Sequence, residues 1–231
     1  MNILQDGAYN RGFPEGLYER KIMKLKPLLL NFLLVFGTVF TTQACAEDNL
    51  LPAFYSVTRV SADDVLNVRE EPSASSPIIF SFEPNSRNIE VVSLSDGGKW
   101  GLVSIPEAHG WISMHYLDRQ LGQSNTNLPR PMVCFGSEPS WFLKLGDQHS
   151  EFSQIYGNTM LLENKWEDTA VGMGSYIYGV LLQGEETQIH ASIERSVCSD
   201  GMSDSLYGLT INAFHSDISG TQLYRGCCSL R

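Results

Sequence analysis

From residue 53 onward the chain is a succession of short apolar runs, each closed by a breaker. Val57, Val60, Val65, Leu66 and Val68 precede Pro72, and Ile78-Ile79-Phe80 follows it. Ile89, Val91, Val92 and Leu94 then lead up to Asp96-Gly97-Gly98, and Trp100, Leu102, Val103 and Ile105 run up to Pro106. Strands of about five residues separated by Gly, Pro, Asn and Ser turns predict a small barrel over residues 50–120, because closing a ladder removes its exposed edges. Asp96-Gly97-Gly98 between two alternating runs predicts a hairpin, since glycine enters positive φ without steric cost.

A second series of runs extends from Trp141-Phe142-Leu143 to Tyr224. Ile189, Ala191 and Ile193 alternate with His190, Ser192 and Glu194, the period of a strand with one buried face. No stretch carries a sustained helical period, apart from one turn expected near Asp200 to Asp204. Residues 132–231 are therefore predicted to be all-β, with seven or eight antiparallel strands in a barrel or sandwich. Between the two series, residues 121–131 read LGQSNTNLPRP, polar and proline-bearing, and are predicted to be a linker.

The amino terminus has a different pattern. Met23-Lys24-Leu25-Lys26 precedes an almost wholly apolar stretch from Leu28 to Phe40, and Ala44-Cys45-Ala46 follows. A basic start, a short apolar run and an Ala-x-Ala site describe a signal peptide cleaved after Ala46. The run is shorter than the roughly 18 residues that span a bilayer. Cys45 raises a lipoprotein alternative, which Thr42 disfavours because an aliphatic residue usually stands three positions before such a cysteine. Residues 1–22 fit neither pattern, and Met23 is the expected start of translation.

One stretch carries a family resemblance. Leu66-Asn67-Val68-Arg69-Glu70-Glu71-Pro72, then Gly98-Lys99-Trp100, then Gly110-Trp111-Ile112 with Tyr116-Leu117, resembles a bacterial SH3 domain over about residues 55–119. The resemblance implies a small barrel that recognises cell-wall peptides or other extended peptides. Tyr55, Arg69, Trp100, Trp111 and Tyr116 are the candidate groove residues, where aromatic faces stack on a ligand and a charge fixes its register. Trp111 competes for a core position, and Arg69 for a role in anchoring the arm.

In the second region Cys134-Phe135-Gly136-Ser137-Glu138-Pro139-Ser140-Trp141, Cys198-Ser199-Asp200-Gly201-Met202-Ser203-Asp204 and Arg225-Gly226-Cys227-Cys228 stand out. These blocks resemble an uncharacterised family of exported bacterial domains, from whose pattern Ser140 departs. That resemblance implies a fold and a compartment but no reaction.

Export alters the reading of the cysteines. The mature chain keeps Cys134, Cys198, Cys227 and Cys228, and in an oxidising compartment these predict disulfides. A bridge between the adjacent Cys227 and Cys228 would strain the peptide between them. Two bridges then join Cys134 and Cys198 each to one of that pair, with the choice of partner open; a single bridge with two free thiols is the alternative. Zinc is disfavoured by the absence of C-x-x-C or histidine spacing.

Composition and charge exclude more than they assign. Of 16 basic and 26 acidic side chains, five and three precede residue 47, which leaves 11 against 23 and a formal net charge of −12. Such a surface repels phosphate backbones, so nucleic acid is not an expected partner. Asp200, Asp204, Glu138 and Ser203 form the best candidate catalytic or metal cluster. The competing expectation is structural: Ser199 and Asp200 cap a turn, Asp204 binds backbone donors and Glu138 pairs with Arg225. No nucleophile elbow, H-E-x-x-H or phosphate loop supports an enzyme, and no cofactor or metal is expected. Among the scattered histidines 109, 115, 149, 190 and 215, His115 lies best for function. The sequence thus predicts an exported, non-enzymatic, all-β binding protein of the periplasm or exterior, touching the membrane only through its signal peptide. The alternative is a cell-envelope enzyme, or an inhibitor of a wall-degrading enzyme, with its activity in residues 132–231.

Overall fold

The computed structural model describes residues 50–123, 127–155, 157–172 and 176–230. The expected signal peptide, Cys45 and both candidate start sites lie outside them. The described residues form one compact unit. Among the described residues no helix is long and apolar enough to cross a membrane.

The first region is a seven-stranded antiparallel sheet of β1 (Ala53–Val57), β2 (Leu66–Arg69), β3 (Ile78–Phe82), β4 (Ile89–Leu94), β5 (Trp100–Ile105), β6 (Ala108–Ser113) and β7 (Leu117–Arg119), ordered β3-β2-β6-β5-β4-β1-β7. A short 3₁₀ turn, Met114–Tyr116, leads into β7. Alternate residues of these strands bury one core around Val68, Val91, Val103 and Ile112. The expected hairpin joins β4 to β5, with Gly97 and Gly98 at φ 79° and 68°, where a Cβ would be strained.

The second region is a closed eight-stranded barrel of β8 (Met132–Ser137), β9 (Ser140–Leu145), β10 (His149–Gln154), β11 (Met160–Thr169), β12 (Ile177–Gln183), β13 (Gln188–Ser199), β14 (Leu206–Asp217) and β15 (Gly220–Ser229). Of the two architectures left open by the sequence, the barrel is realised. Its interior is filled by side chains, among them Trp141, Leu143, Phe152, Tyr178, Ile193 and Leu209. Residues 201–204 are bends, and no helical turn forms there.

Both expected bridges are present, and strand alternation assigns the partners. Neighbouring residues of a strand point to opposite faces, so Cys227 and Cys228 cannot serve the same side of β15. Cys228 points into the core, directly opposite Cys134 of β8, and the two are bonded. Cys227 points outward and is bonded to Cys198 of β13. The bridges span 94 and 29 residues.

The sheet docks on one end of the barrel. Pro52 packs on Gly208, where a Cβ would lie 2.6 Å from the proline ring. The Ser104 hydroxyl donates to the Leu206 carbonyl, and that of Ser205 to Ile105 at 3.5 Å. His109 Nδ1 donates to the Asp204 carbonyl at 2.5 Å, and the Leu230 amide to Glu90 Oε2 at 3.0 Å. The segment expected to be a linker takes part as well. Leu128 is buried in the barrel core, Arg130 is ion-paired with Glu167, and Gln123 bonds both the amide and the carbonyl of Phe54.

Candidate functional site

Where the loop after β1, strand β2, the start of β5 and the 3₁₀ turn approach one another, a groove of about 550 Å³ opens on the sheet. Its walls include Arg59, Asp64, Asn67, Arg69, Trp100, His115 and Tyr116. Tyr116 meets the His115 ring edge-on at 4.9 Å between centroids, and its own side is open to solvent (37% exposed). Trp100 is placed by the β4–β5 hairpin, with its amide held by Ser95 Oγ at 3.2 Å.

The two guanidiniums are held by the backbone. Arg69 Nη1 donates to the Ser76 carbonyl at 2.6 Å, which fixes the arm between β2 and β3. Arg59 has φ 60°, an uncommon conformation for a residue with a side chain. From there it donates Nε to the His115 carbonyl at 2.6 Å and Nη2 to Asp118 Oδ1 at 2.7 Å. The hydrogen bond from Arg59 holds the Asp118 carboxyl below the usual carboxylate range. Asp64 supplies a carboxylate to the same wall, with Oδ1 accepting the Val65 amide at 2.8 Å. The groove thus combines aromatic faces with two fixed cations and one anion, an arrangement suited to an extended ligand that has its own charges.

Three of the five candidate groove residues, Arg69, Trp100 and Tyr116, meet here. Tyr55 does not: it lies in the sheet core at 6% exposure, where burial pushes its hydroxyl pKa up and the Arg119 charge opposes the shift. Trp111 is half-buried on β6, opposite Arg69 and Leu102, and does not line the groove. Arg59 and Asp64 were missed, because a positive-φ arginine and a loop aspartate carry no periodic signal. His115 lines the groove, as its position in the closing segment suggests.

The second carboxylate cluster has structural partners. Asp200 Oδ1 accepts the amides of Met202 at 3.0 Å and Ser203 at 3.2 Å, and Oδ2 faces the Tyr207 hydroxyl at 3.5 Å. Ser199 Oγ accepts the Gly201 amide, and Ser203 Oγ that of Ser205, both at 3.2 Å. These groups shape the loop that docks on the sheet. Asp204 takes part through its carbonyl, not its carboxylate. The expected Glu138–Arg225 ion pair does not form among the described residues: Glu138 is exposed in the turn between β8 and β9, and Arg225 is exposed in the middle of β15. No group of three or more potential metal ligands converges among the described residues.

Residues 64–118 match the family model described as bacterial SH3 domain. The match runs from just before β2 into β7 and contains Arg69, Trp100 and Tyr116; it does not extend to the barrel, whose resemblance to exported bacterial domains stays an expectation. No curated protein and no solved structure matches the chain.

Proposed function

We propose that the protein is an exported, non-enzymatic binding protein of the cell envelope, and that its sheet groove holds an extended peptide such as the peptide of the bacterial cell wall. The observation that carries this reading is the meeting in one groove of Arg69, Trp100 and Tyr116, three residues of the bacterial SH3 match that come from three separate elements. Trp100 and Tyr116 offer apolar faces to the ligand backbone and side chains. Arg59 and Arg69 attract carboxylates, and Asp64 attracts an amine, so a peptide bearing both charges is favoured in one register. Two disulfides fit a compartment outside the cytoplasm, and the signal-like amino terminus supports the periplasm or exterior.

The test is retention on purified, insoluble peptidoglycan. The full chain should co-sediment, and Trp100→Ala or Tyr116→Ala should release it. Retention unchanged in both variants, or no retention at all, would remove the groove from the account. Release of soluble fragments from the wall by the protein alone would replace the binding reading with an enzymatic one.

A further inference from the structure

The outer surface of the barrel carries a largely apolar row at right angles to the strands, with His190 at its middle and Leu181 partly covered. Trp166, Leu181, His190, Phe214 and Leu223 are successive cross-strand partners on β11, β12, β13, β14 and β15. Leu181, His190, Phe214 and Leu223 point outward, since their strand neighbours Leu182, Ile189, Ala213 and Tyr224 are buried in the core, and Trp166, beside a register shift in β11, is exposed. Trp166, Phe214 and Leu223 are 53%, 49% and 60% exposed. At strand spacing the row is about 19 Å long. Gly179 gives its aromatic end a seat: a Cβ there would lie 2.6 Å from the Trp166 ring, so the indole packs against bare backbone while about half of the side chain stays open.

The flanks of the row are polar, and uncharged over its centre. On one side Gln183, Gln188, Ser216 and Thr221 form a parallel row of cross-strand partners, which ends in a charge at Glu163 of β11, ion-paired with Lys165. On the other side Gly179, Ser192 and Asn212 do the same, with charges only at the ends, Asp168 and Arg225. Several of these groups are held before any ligand arrives. The Gln188 side chain faces His190 Nε2 at 3.0 Å and donates to Gln183 Oε1 at 2.8 Å, and Gln183 Nε2 donates in turn to the Gly184 carbonyl at 2.8 Å. The Ser216 and Thr221 hydroxyls are bonded to each other at 2.9 Å.

From this geometry we infer that the outer face of β11–β15 is a binding site for a neutral, extended polysaccharide. A sugar chain presents flat C–H faces edged by hydroxyl groups, which matches a narrow aromatic and aliphatic row edged by amides and hydroxyls able both to donate and to accept. The charge pattern selects this class. The centre of the strip carries no carboxylate, lysine or arginine, and its one titratable side chain is the His190 imidazole, so it offers little to a strongly basic or acidic partner. A row one residue wide with hydrogen-bonding groups on both sides is also a poor match for a lipid surface, which rewards a broad apolar face. The prearranged amides lower the ordering cost of binding. This site is separate from the sheet groove, and its test does not depend on the groove.

Titration of the full chain with cellohexaose and with chitohexaose, followed by tryptophan fluorescence, tests the assignment. At least one of these straight, neutral probes should bind at sub-millimolar to millimolar concentration and perturb the emission. Trp166→Ala should weaken binding by about tenfold and Phe214→Ala by a few-fold, Trp166→Tyr should retain most of the affinity, and Trp100→Ala should leave it unchanged. Because Trp166 is exposed, unaltered circular dichroism is expected for its variants. Absence of binding by both probes up to millimolar concentration overturns the inference, as does binding indifferent to Trp166→Ala and Phe214→Ala. A dimer in sedimentation that Trp166→Ala dissociates would assign the row to a second copy of the chain, and Trp166-dependent retention on phosphatidylcholine vesicles would assign it to a membrane; either result also overturns it.

Discussion

The sheet and the barrel are built from the same material, short antiparallel strands with alternating burial, yet they are held together differently. The sheet has two edges, a small core of mostly aliphatic residues and no cysteine, and its most distinctive residues surround an open groove. The barrel closes its ladder, fills its interior with Trp141, Phe152 and Tyr178, and fastens β8 and β13 to β15 with two disulfides. What the difference teaches is a division of labour. The sheet commits Trp100 and Tyr116 to a site, whereas the barrel packs Trp141, Phe152, Tyr178 and Tyr224 inside and keeps Trp166 and Phe214 on the outside.

Removal of the bridges should separate the two regions most strongly. In the chain-entropy model the 94-residue closure contributes about 4 to 5 kcal/mol and the 29-residue closure about 3 to 4 kcal/mol. Reduction, or the double change Cys134→Ser with Cys228→Ser, should therefore melt the barrel at a much lower temperature while the sheet keeps its structure. Thermal melts with and without reductant read this, and a barrel transition that does not move would refute the role of the bridges.

Backbone crowding offers a second contrast. At Gly226 of the barrel a Cβ would lie 1.9 Å from the Phe135 carbonyl oxygen, a backbone atom that cannot step aside. Gly226→Ala should cost about 2 to 3 kcal/mol or more. At Gly101 of the sheet the nearest atoms are the ends of the Met114 and Val91 side chains, at 2.7 and 2.8 Å. The Met114 end can move and the Val91 methyl gives only slightly, but neither is backbone, so Gly101→Ala should cost less than Gly226→Ala in denaturant titrations. The reverse order would show that the sheet is the more rigid body.

How far the regions depend on each other is a smaller effect. His109→Ala and Ser205→Ala each remove one hydrogen bond between sheet and barrel, and each should cost about 0.5 to 1.5 kcal/mol. A fragment of residues 50–120 should still fold, less stably than in the whole chain; an unstructured fragment by circular dichroism would make the barrel part of the sheet's fold.

The smallest effect concerns pH. The Asp118 carboxyl is held below its ordinary value of 3.8 by Arg59, so its contribution is present above that value and fades as pH falls through the lowered one. Both groups are largely exposed and the pair is weak. Asp118→Asn should flatten a slight acid-side dependence of ligand affinity by freeing Arg59 at the groove wall; an unaltered profile would separate the pair from binding.

Much of this was legible in the sequence because strand period and breakers are local. The runs around Val68, Val91 and Ile112, the Gly97-Gly98 hairpin and the all-β character of both regions follow from alternation and turn residues alone. The cysteine partners were half legible: adjacency forbids one bridge, but only the register of β15 against β8 decides which of Cys227 and Cys228 meets Cys134. The groove was legible where a residue sits in a motif, as Arg69, Trp100 and Tyr116 do. It was illegible at Tyr55, whose position in an alternating strand fits core as well as groove, and at Arg59, whose place depends on an unusual φ. The row from Trp166 to Leu223 joins residues up to 57 positions apart in sequence, and no single strand reveals it.

The most direct test of the central claim is to titrate a soluble, uncrosslinked cell-wall stem peptide into isotopically labelled full-length protein and follow the tryptophan indole and arginine side-chain signals. The account predicts that Trp100 and Arg69 shift together and saturate, that Trp141 in the barrel core stays fixed, and that Trp100→Ala abolishes the response. Shifts confined to barrel residues, or no shift at millimolar peptide, would contradict it.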